Sequence, residues 1–332
     1  AVELIGSDLP AMTEREMHMA KQKVSRLFQL LSSMALVFFL LLTCGVAAAS
    51  TPQGEFDKTF QVTGPVDLEA QTHSGDIIVR SGPAGSVSIH GKIFVGEHWL
   101  LGDRRSDVTA IEQNPPLRQD GNRIHIDYVN AHDISVDYEI IVPADTTIRA
   151  HSGSGDLTIE GTHGNADLRS GSGDLKLTGI TGEIHLQTGS GNVRAREISG
   201  AVSGNAGSGD IEVEEVGSGD INLNSGSGNI TIRGIHGGLH AEAGSGDITA
   251  EGTQGGDWEI RTGSGNVHVR LPADAAFDAN ISTGSGTLDV DAPITMTVQG
   301  RINDTHKTIA GKVRGGGPML TLHTGSGDIH IE

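Results

Sequence analysis

The chain has 332 residues, 48 of them glycine, with 3% aromatic residues, one cysteine and a formal net charge of -19. So few aromatics argue against a layered helix-and-sheet enzyme domain of this length, which fills its core with Phe, Tyr and Trp. The negative field argues against nucleic acid and other polyanions as partners and leaves cations and basic surfaces open.

The first segment, residues 1–49, reads as a start extension followed by a signal peptide. Lys21, Lys23 and Arg26 precede the apolar run Leu27 to Leu42, and "CGVAAAS" places Ala47 and Ala49 as the small residues before a cleavage at Ser50. The same residues admit an uncleaved apolar helix, since 27–49 is long enough to tether the chain to a membrane. They also admit acylation of Cys44, which the bulky Leu42 disfavours. Residues 1–16 look like an upstream extension, because Met17 or Met19 opens a signal of ordinary length. Removing 1–49 takes four acidic and four basic residues, so the charge stays at -19 and no cysteine is left for a disulfide.

Residues 50–145 carry strand-like runs such as "VDLEAQTHSGDIIVRS" and "ISVDYEIIVP" without a strict repeat. They are expected to form irregular β coils and a cap, with a long exposed insertion at 96–121. "HSGDIIV" from His73 resembles a degenerate corner of the repeat that follows.

Residues 146–272 hold that repeat. G-S-G-[DN] recurs at Gly153, Gly171, Gly189, Gly207, Gly226, Gly244 and Gly263, at spacings of 18 or 19, and an extra copy at Gly217 reveals a half-period near nine. Each half alternates apolar and polar residues, as in Leu175/Leu177 and Ile184/Leu186, which is a strand signal. A strand with two small aliphatics on one side buries nothing alone, so the copies must stack. The expected fold is all-β: a parallel β-solenoid of ~18-residue coils, each with two short strands, the two sheets ~10 Å apart. Gly-Ser-Gly is expected to supply positive φ at the corner between sheets, and Asp or Asn to close the corner by bonding backbone N–H groups. This register lines up Glu160, Thr178, Arg196, Glu214, Arg233, Glu251 and Arg270 as an outward ladder whose signs alternate from Arg196 onward. Residues 273–332, with late corners at Gly284 and Gly325, are expected to be atypical coils and a cap, because a solenoid must cover its strand edges.

"VPADTTIRAHSGSGDLTIEG", the chain of GSGD and GSGN corners, and the closing "GKVRGGGPMLTLHTGSGDIHIE" together make residues 53–332 resemble the DUF4097 family of bacterial β-strand-repeat proteins, labelled adhesins by inference. The resemblance implies a secreted or membrane-tethered β-solenoid and supplies no catalytic residues.

Calcium-binding β-rolls also bend at glycine-aspartate corners, which makes Asp156, Asp174, Asp210 and Asp247 candidate Ca²⁺ ligands. Their Asp follows the second glycine directly, and Asn192, Asn229 and Asn266 interrupt the series, so a structural corner is the preferred reading. A polysaccharide lyase or hydrolase on a β-helix needs clustered carboxylates. The densest stretch, "DIEVEEVGSGD" from Asp210 to Asp220, reads instead as a solvated charge ladder. Trp99, Trp258, Tyr128 and Tyr138 form no evident stripe for sugar stacking. The 14 histidines beyond residue 49 show no closed metal spacing, although His98, His132 and His151 are left open as neighbours in space. No G-x-S-x-G or phosphate loop is present. The expected protein is exported and non-enzymatic, with no cofactor and no nucleic acid, displaying a rigid face to a surface protein or glycan. The insertion at 96–121 is the expected seat of specificity.

Overall fold

The computed structural model describes residues 51–96, 104–129, 133–215, 217–291, 294–296 and 307–332. The apolar segment 27–49, Cys44, His98, Trp99 and His132 lie outside these residues.

The N-terminal part supplies β1 (Gly54–Gln61), β2 (Val66–Thr72), β3 (Ile77–Gly82), β4 (Ser86–Val95), helix α1 (Arg105–Gln113), β5 (Leu117–Asp120), β6 (Arg123–Ile126), β7 (Ile134–Pro143) and β8 (Thr146–Ser152). The regular part follows with β9 (Leu157–Glu160), β10 (Ala166–Ser170), β11 (Leu175–Thr178), β12 (Ile184–Thr188), β13 (Val193–Ile198), β14 (Val202–Ala206) and β15 (Ile211–Glu215). It continues through β16 (Ile221–Ser225), β17 (Ile230–Ile235), β18 (Leu239–Ala243), β19 (Ile248–Gly252), β20 (Trp258–Ser264) and β21 (Val267–Arg270). The chain closes with β22 (Phe277–Ser285), β23 (Leu288–Val290), β24 (Ile294–Met296), β25 (Lys307–Val313), β26 (Met319–Ser326) and β27 (Ile329–Ile331).

From β8 to β21 the strands alternate between two sheets, and each pairs in parallel with the strand one coil away. Leu175 stands beside Leu157 and Val193, and Ile184 beside Ala166 and Val202. The paired aliphatics of both sheets point inward and are buried, which builds the β-solenoid core. Burying such a side chain contributes roughly 1.5–3 kcal/mol, so two per strand suffice when every coil adds four.

The end coils are not stacked in sequence order. Sheet A, with 13 strands, runs β1-β4-β7-β3-β9 at one end and β19-β21-β27-β23 at the other. Sheet B, with 14, runs β5-β6-β2-β8-β10 and β20-β26-β22-β25-β24. The coil β2–β3 is therefore wedged between β6–β7 and β8–β9. The last coil, β26–β27, is likewise wedged between β20–β21 and β22–β23. Beyond these wedges the pairing turns antiparallel: β4 on β7, β1 on β4, β5 on β6, and β25 on both β22 and β24. Antiparallel edges and the three-residue β23 end the parallel stacking that would otherwise template another chain.

Two expectations need correction. The segment 96–121 is not one exposed loop: α1 packs on β1 with Val108 buried, and Gly54 leaves it room, since a Cβ there would lie 2.6 Å from Val108 Cγ1. The corner glycines of the regular coils do not have positive φ. They are glycine because successive corners touch. A Cβ on Gly173 would lie 2.0 Å from the Gly155 carbonyl oxygen, and one on Gly191 would lie 2.0 Å from that of Gly173. Positive φ occurs instead at the far end of the first strand, at Gly161, Gly179, Gly234 and, without glycine, at Glu197 with φ 57°.

Candidate functional site

Three sets of polar side chains run the length of the rod. The first is the corner ladder. Asp156 N–H donates to Asp76 Oδ1 at 2.8 Å, Asp174 N–H to Asp156 Oδ1 at 2.8 Å, and Asn192 N–H to Asp174 Oδ1 at 2.7 Å. The series continues through Asp210, Asn229, Asp247, Asn266 and Asp328 to the Thr287 amide. Each side chain thus satisfies a backbone N–H that faces the next coil. The four Ca²⁺ candidates, Asp156, Asp174, Asp210 and Asp247, all commit Oδ1 to this ladder. At its N-terminal end Asp137 accepts from Asp76 N–H, while half-burial holds its carboxyl above the usual range against that bond.

The second set is a row of buried hydroxyls directly before the corners, which the sequence reading missed. Ser170 Oγ accepts from Gly173 N–H at 2.8 Å and donates to the Gly155 carbonyl at 3.3 Å. Thr188 and Ser225 repeat both bonds, and Thr262, Thr324 and Thr283 repeat the donation. Ala206 and Ala243 occupy the equivalent places and carry no hydroxyl. The signal was available as a Ser or Thr immediately before most G-S-G motifs.

The third set is the outward faces. On sheet A, Arg80 pairs with Glu160 at 2.9 Å, Glu212 lies 3.3 Å from Arg233 and 3.5 Å from Arg196, and Glu251 lies 3.5 Å from Arg270. The residues of the alternating ladder stand in register with one break, but of its opposite-charge neighbours it is Glu251 and Arg270 that form an ion pair, while Arg233 turns to Glu212. A bulge after Ala195 brings Ile198 instead of Glu197 beside Glu215 and takes Arg196 out of register with Glu214, so Arg196 also reaches Glu212. On sheet B the ends are charged, with Arg149 and Arg123 on Asp67 and His240 on Glu259. The middle carries no Asp, Glu, Lys or Arg on its strands: His185, 3.3 Å from Glu183, stands beside Ser203, and Gln187, Ser203, Asn205, Asn222 and Asn224 face outward, with Asn224 Nδ2 donating to Asn205 at 3.2 Å and to Asn222 at 3.3 Å.

Two clusters stand apart from these rows. Glu215, 3% exposed, is set beside Ile198 where an 18-residue register points to Val216. Among the described residues neither of its carboxylate oxygens has a hydrogen-bond partner. Burial pushes its carboxyl up to about 7, Asp220 adding to the shift and the nearby Gly219 amide opposing it. The other cluster gathers His268, His330 and Glu332, whose ligand-type atoms lie within 4.8 Å of one another. Sequence spacing gave no sign of the His268–His330 pair, because the wedged last coil brings together residues 62 apart. His151 stands edge-on to Tyr128, which stacks on His73. Of the aromatics considered for sugar stacking, Trp258 and Tyr138 are buried in the core.

No curated protein matches the sequence. Two solved structures are similar. A "putative cell adhesion protein" from Clostridium sporogenes ATCC 15579 is 11% identical, with 83% of this chain and 98% of that chain covered and a TM-score of 0.20. A "putative adhesin" from Bacteroides fragilis NCTC 9343 is 13% identical, with 86% and 100% covered and a TM-score of 0.36. The Toastrack DUF4097 family profile matches residues 49–203 and 199–332. Covered without a gap from residue 49 onward, the chain belongs to the Toastrack DUF4097 family.

Proposed function

We propose that the protein is an exported, non-enzymatic rod of the cell envelope that acts as an adhesin-like interaction module. The observation that carries this reading is the uncharged strip on sheet B, Gln187, Ser203, Asn205, Asn222 and Asn224, held in register over consecutive coils. A strand spacing of ~4.8 Å repeats its amide donors and acceptors at a fixed interval. A glycan or repetitive surface protein meets the same weak contact on each coil, and multivalency turns such contacts into avidity. The signal-like pattern of residues 1–49 supports export.

The test is binding of the purified full chain to a glycan array and to envelope preparations, beside the variants Asn205→Arg and Asn224→Arg. The expected result is loss of binding in both variants at unchanged thermal unfolding. In parallel, mass spectrometry of the cell-envelope protein should find an N-terminus at Ser50 or an intact anchored segment. Binding indifferent to both arginines, or the whole chain recovered from the cytosol, overturns the proposal.

A further inference from the structure

At the C-terminal end of sheet A, three segments distant in sequence bring imidazole and carboxylate groups to one patch. His268 lies on β21, His330 on the wedged β27, and Asp289 on β23, all in register across the sheet. Glu332 follows His330 by two residues, and the alternation of a strand brings it to the same side. His268 Nε2 is 2.9 Å from Glu332 Oε1, and His330 Nε2 is 4.0 Å from Glu332 Oε2. The two imidazole rings stack with centroids 5.0 Å apart.

We propose that His268 Nε2, His330 Nε2 and the Glu332 carboxylate form a site for a divalent transition metal of the Zn²⁺ class, with Asp289 as the group that orients His330. Two imidazoles and one carboxylate are a donor set that suits Zn²⁺ and its neighbours, with a fourth position left to water. A tetrahedral ion with ~2.1 Å arms needs donor atoms about 3.4 Å apart. The two imidazole–carboxylate separations bracket that value, and the ligand-type atoms of all three side chains lie within 4.8 Å of one another, so rotations of partly exposed side chains close the site.

The tautomer is also set. Asp289 Oδ2 lies 3.2 Å from His330 Nδ1. A carboxylate there takes the Nδ1–H and leaves the Nε2 lone pair facing His268 and Glu332, the carboxylate–histidine arrangement common behind metal ligands. The competitor is Arg270, whose Nε donates to Glu332 Oε1 at 2.9 Å. Arg270 has a second carboxylate in reach, Glu251 at 3.5 Å, and moves to it when an ion takes Glu332. A bound ion ties β21 to β27, and so fastens the wedged coil to the regular part of the rod.

The experiment is calorimetric titration of the chelator-treated full chain with ZnCl₂ at pH 7.5, with thermal unfolding recorded in parallel. Wild type should bind at this site and unfold at a higher temperature with Zn²⁺ present. His330→Ala and His268→Gln should each weaken binding at least tenfold and remove the metal-dependent rise, while their metal-free unfolding stays close to wild type. Asp289→Asn should weaken binding less, and Arg270→Gln should strengthen it. Zn²⁺ binding and the metal-dependent rise unchanged in both histidine variants, or no Zn²⁺ uptake by wild type, overturns the proposal.

Discussion

From β10 to β19, each strand leans on neighbours 18 or 19 residues away, and the corner ladder advances by the same step. At the two ends the same contacts join residues far apart: Asp156 bonds Asp76 across 80 residues, and Asp328 bonds Asn266 across 62. The geometry is identical and only the sequence distance differs. What the coil requires is a neighbour of the right shape, whichever part of the chain supplies it. Crossing 62 or 80 residues adds little closure entropy over crossing 18, because that cost grows only with the logarithm of length.

Substitutions that act on one region and spare the other sharpen this contrast. The largest effect is expected at the stacked corners. Gly191→Ala puts a methyl 2.0 Å from the Gly173 carbonyl oxygen, and stability should fall by at least about 4 kcal/mol in urea denaturation. Gly315→Ala, in open space at φ 94°, should cost only about 1 kcal/mol. Equal losses at the two glycines would show that corner contact is not what demands glycine in the regular coils.

Next is the wedged coil. Leu322 is fully buried, in register between Ile260 and Ile281. Leu322→Ala should cost about 3 kcal/mol and reduce amide-exchange protection in both β20 and β22. Protection lost on one side alone would mean that the last coil merely rests against the rod.

Glu215 tests whether a register slip inside the regular region carries a penalty. Its folded-state pKa, about 7, lies above the ordinary 4.5, so the native state holds this proton more tightly than the unfolded chain. The contribution is fully present below about pH 4.5 and is lost as pH rises through about 7, a loss on the order of 3 kcal/mol. Glu215→Gln should flatten stability between pH 5 and pH 8 relative to wild type. Parallel pH profiles for the two proteins would refute a buried, unpaired carboxyl.

The smallest effect is a gain. Ala206→Ser restores a hydroxyl missing from the buried row and should stabilise by about 1 kcal/mol, read as a higher urea midpoint.

The regular coils were legible because burial, corner and charge all repeat at one period, so each reading supported the others. Leu157 through Val269 fell inward as expected, and Asp174 and Asn192 bond backbone as expected. The reason for the corner glycines was misread: φ is a property of one residue, whereas the clash at Gly173 depends on a second residue in the coil below, 18 positions away. The wedges were illegible for a similar reason. Nothing near Ile329 states that it will lie beside Val267 and not beside Leu288 alone, so the pairing of His268 with His330 stayed hidden. The Glu215 slip follows from a bulge at Glu197, which takes a left-handed backbone without glycine to announce it.

The coils β2–β3 and β26–β27 are each locked between two others, so neither has a free face on which an extra turn could stack. Length is free in the interior. Excising residues 171–188 would remove one full turn and set Gly189 on Gly153 as Gly171 sits now, leaving both tips untouched. A spacer can thus be shortened or extended in whole-turn units by editing its middle, without redesigning what it carries at its ends.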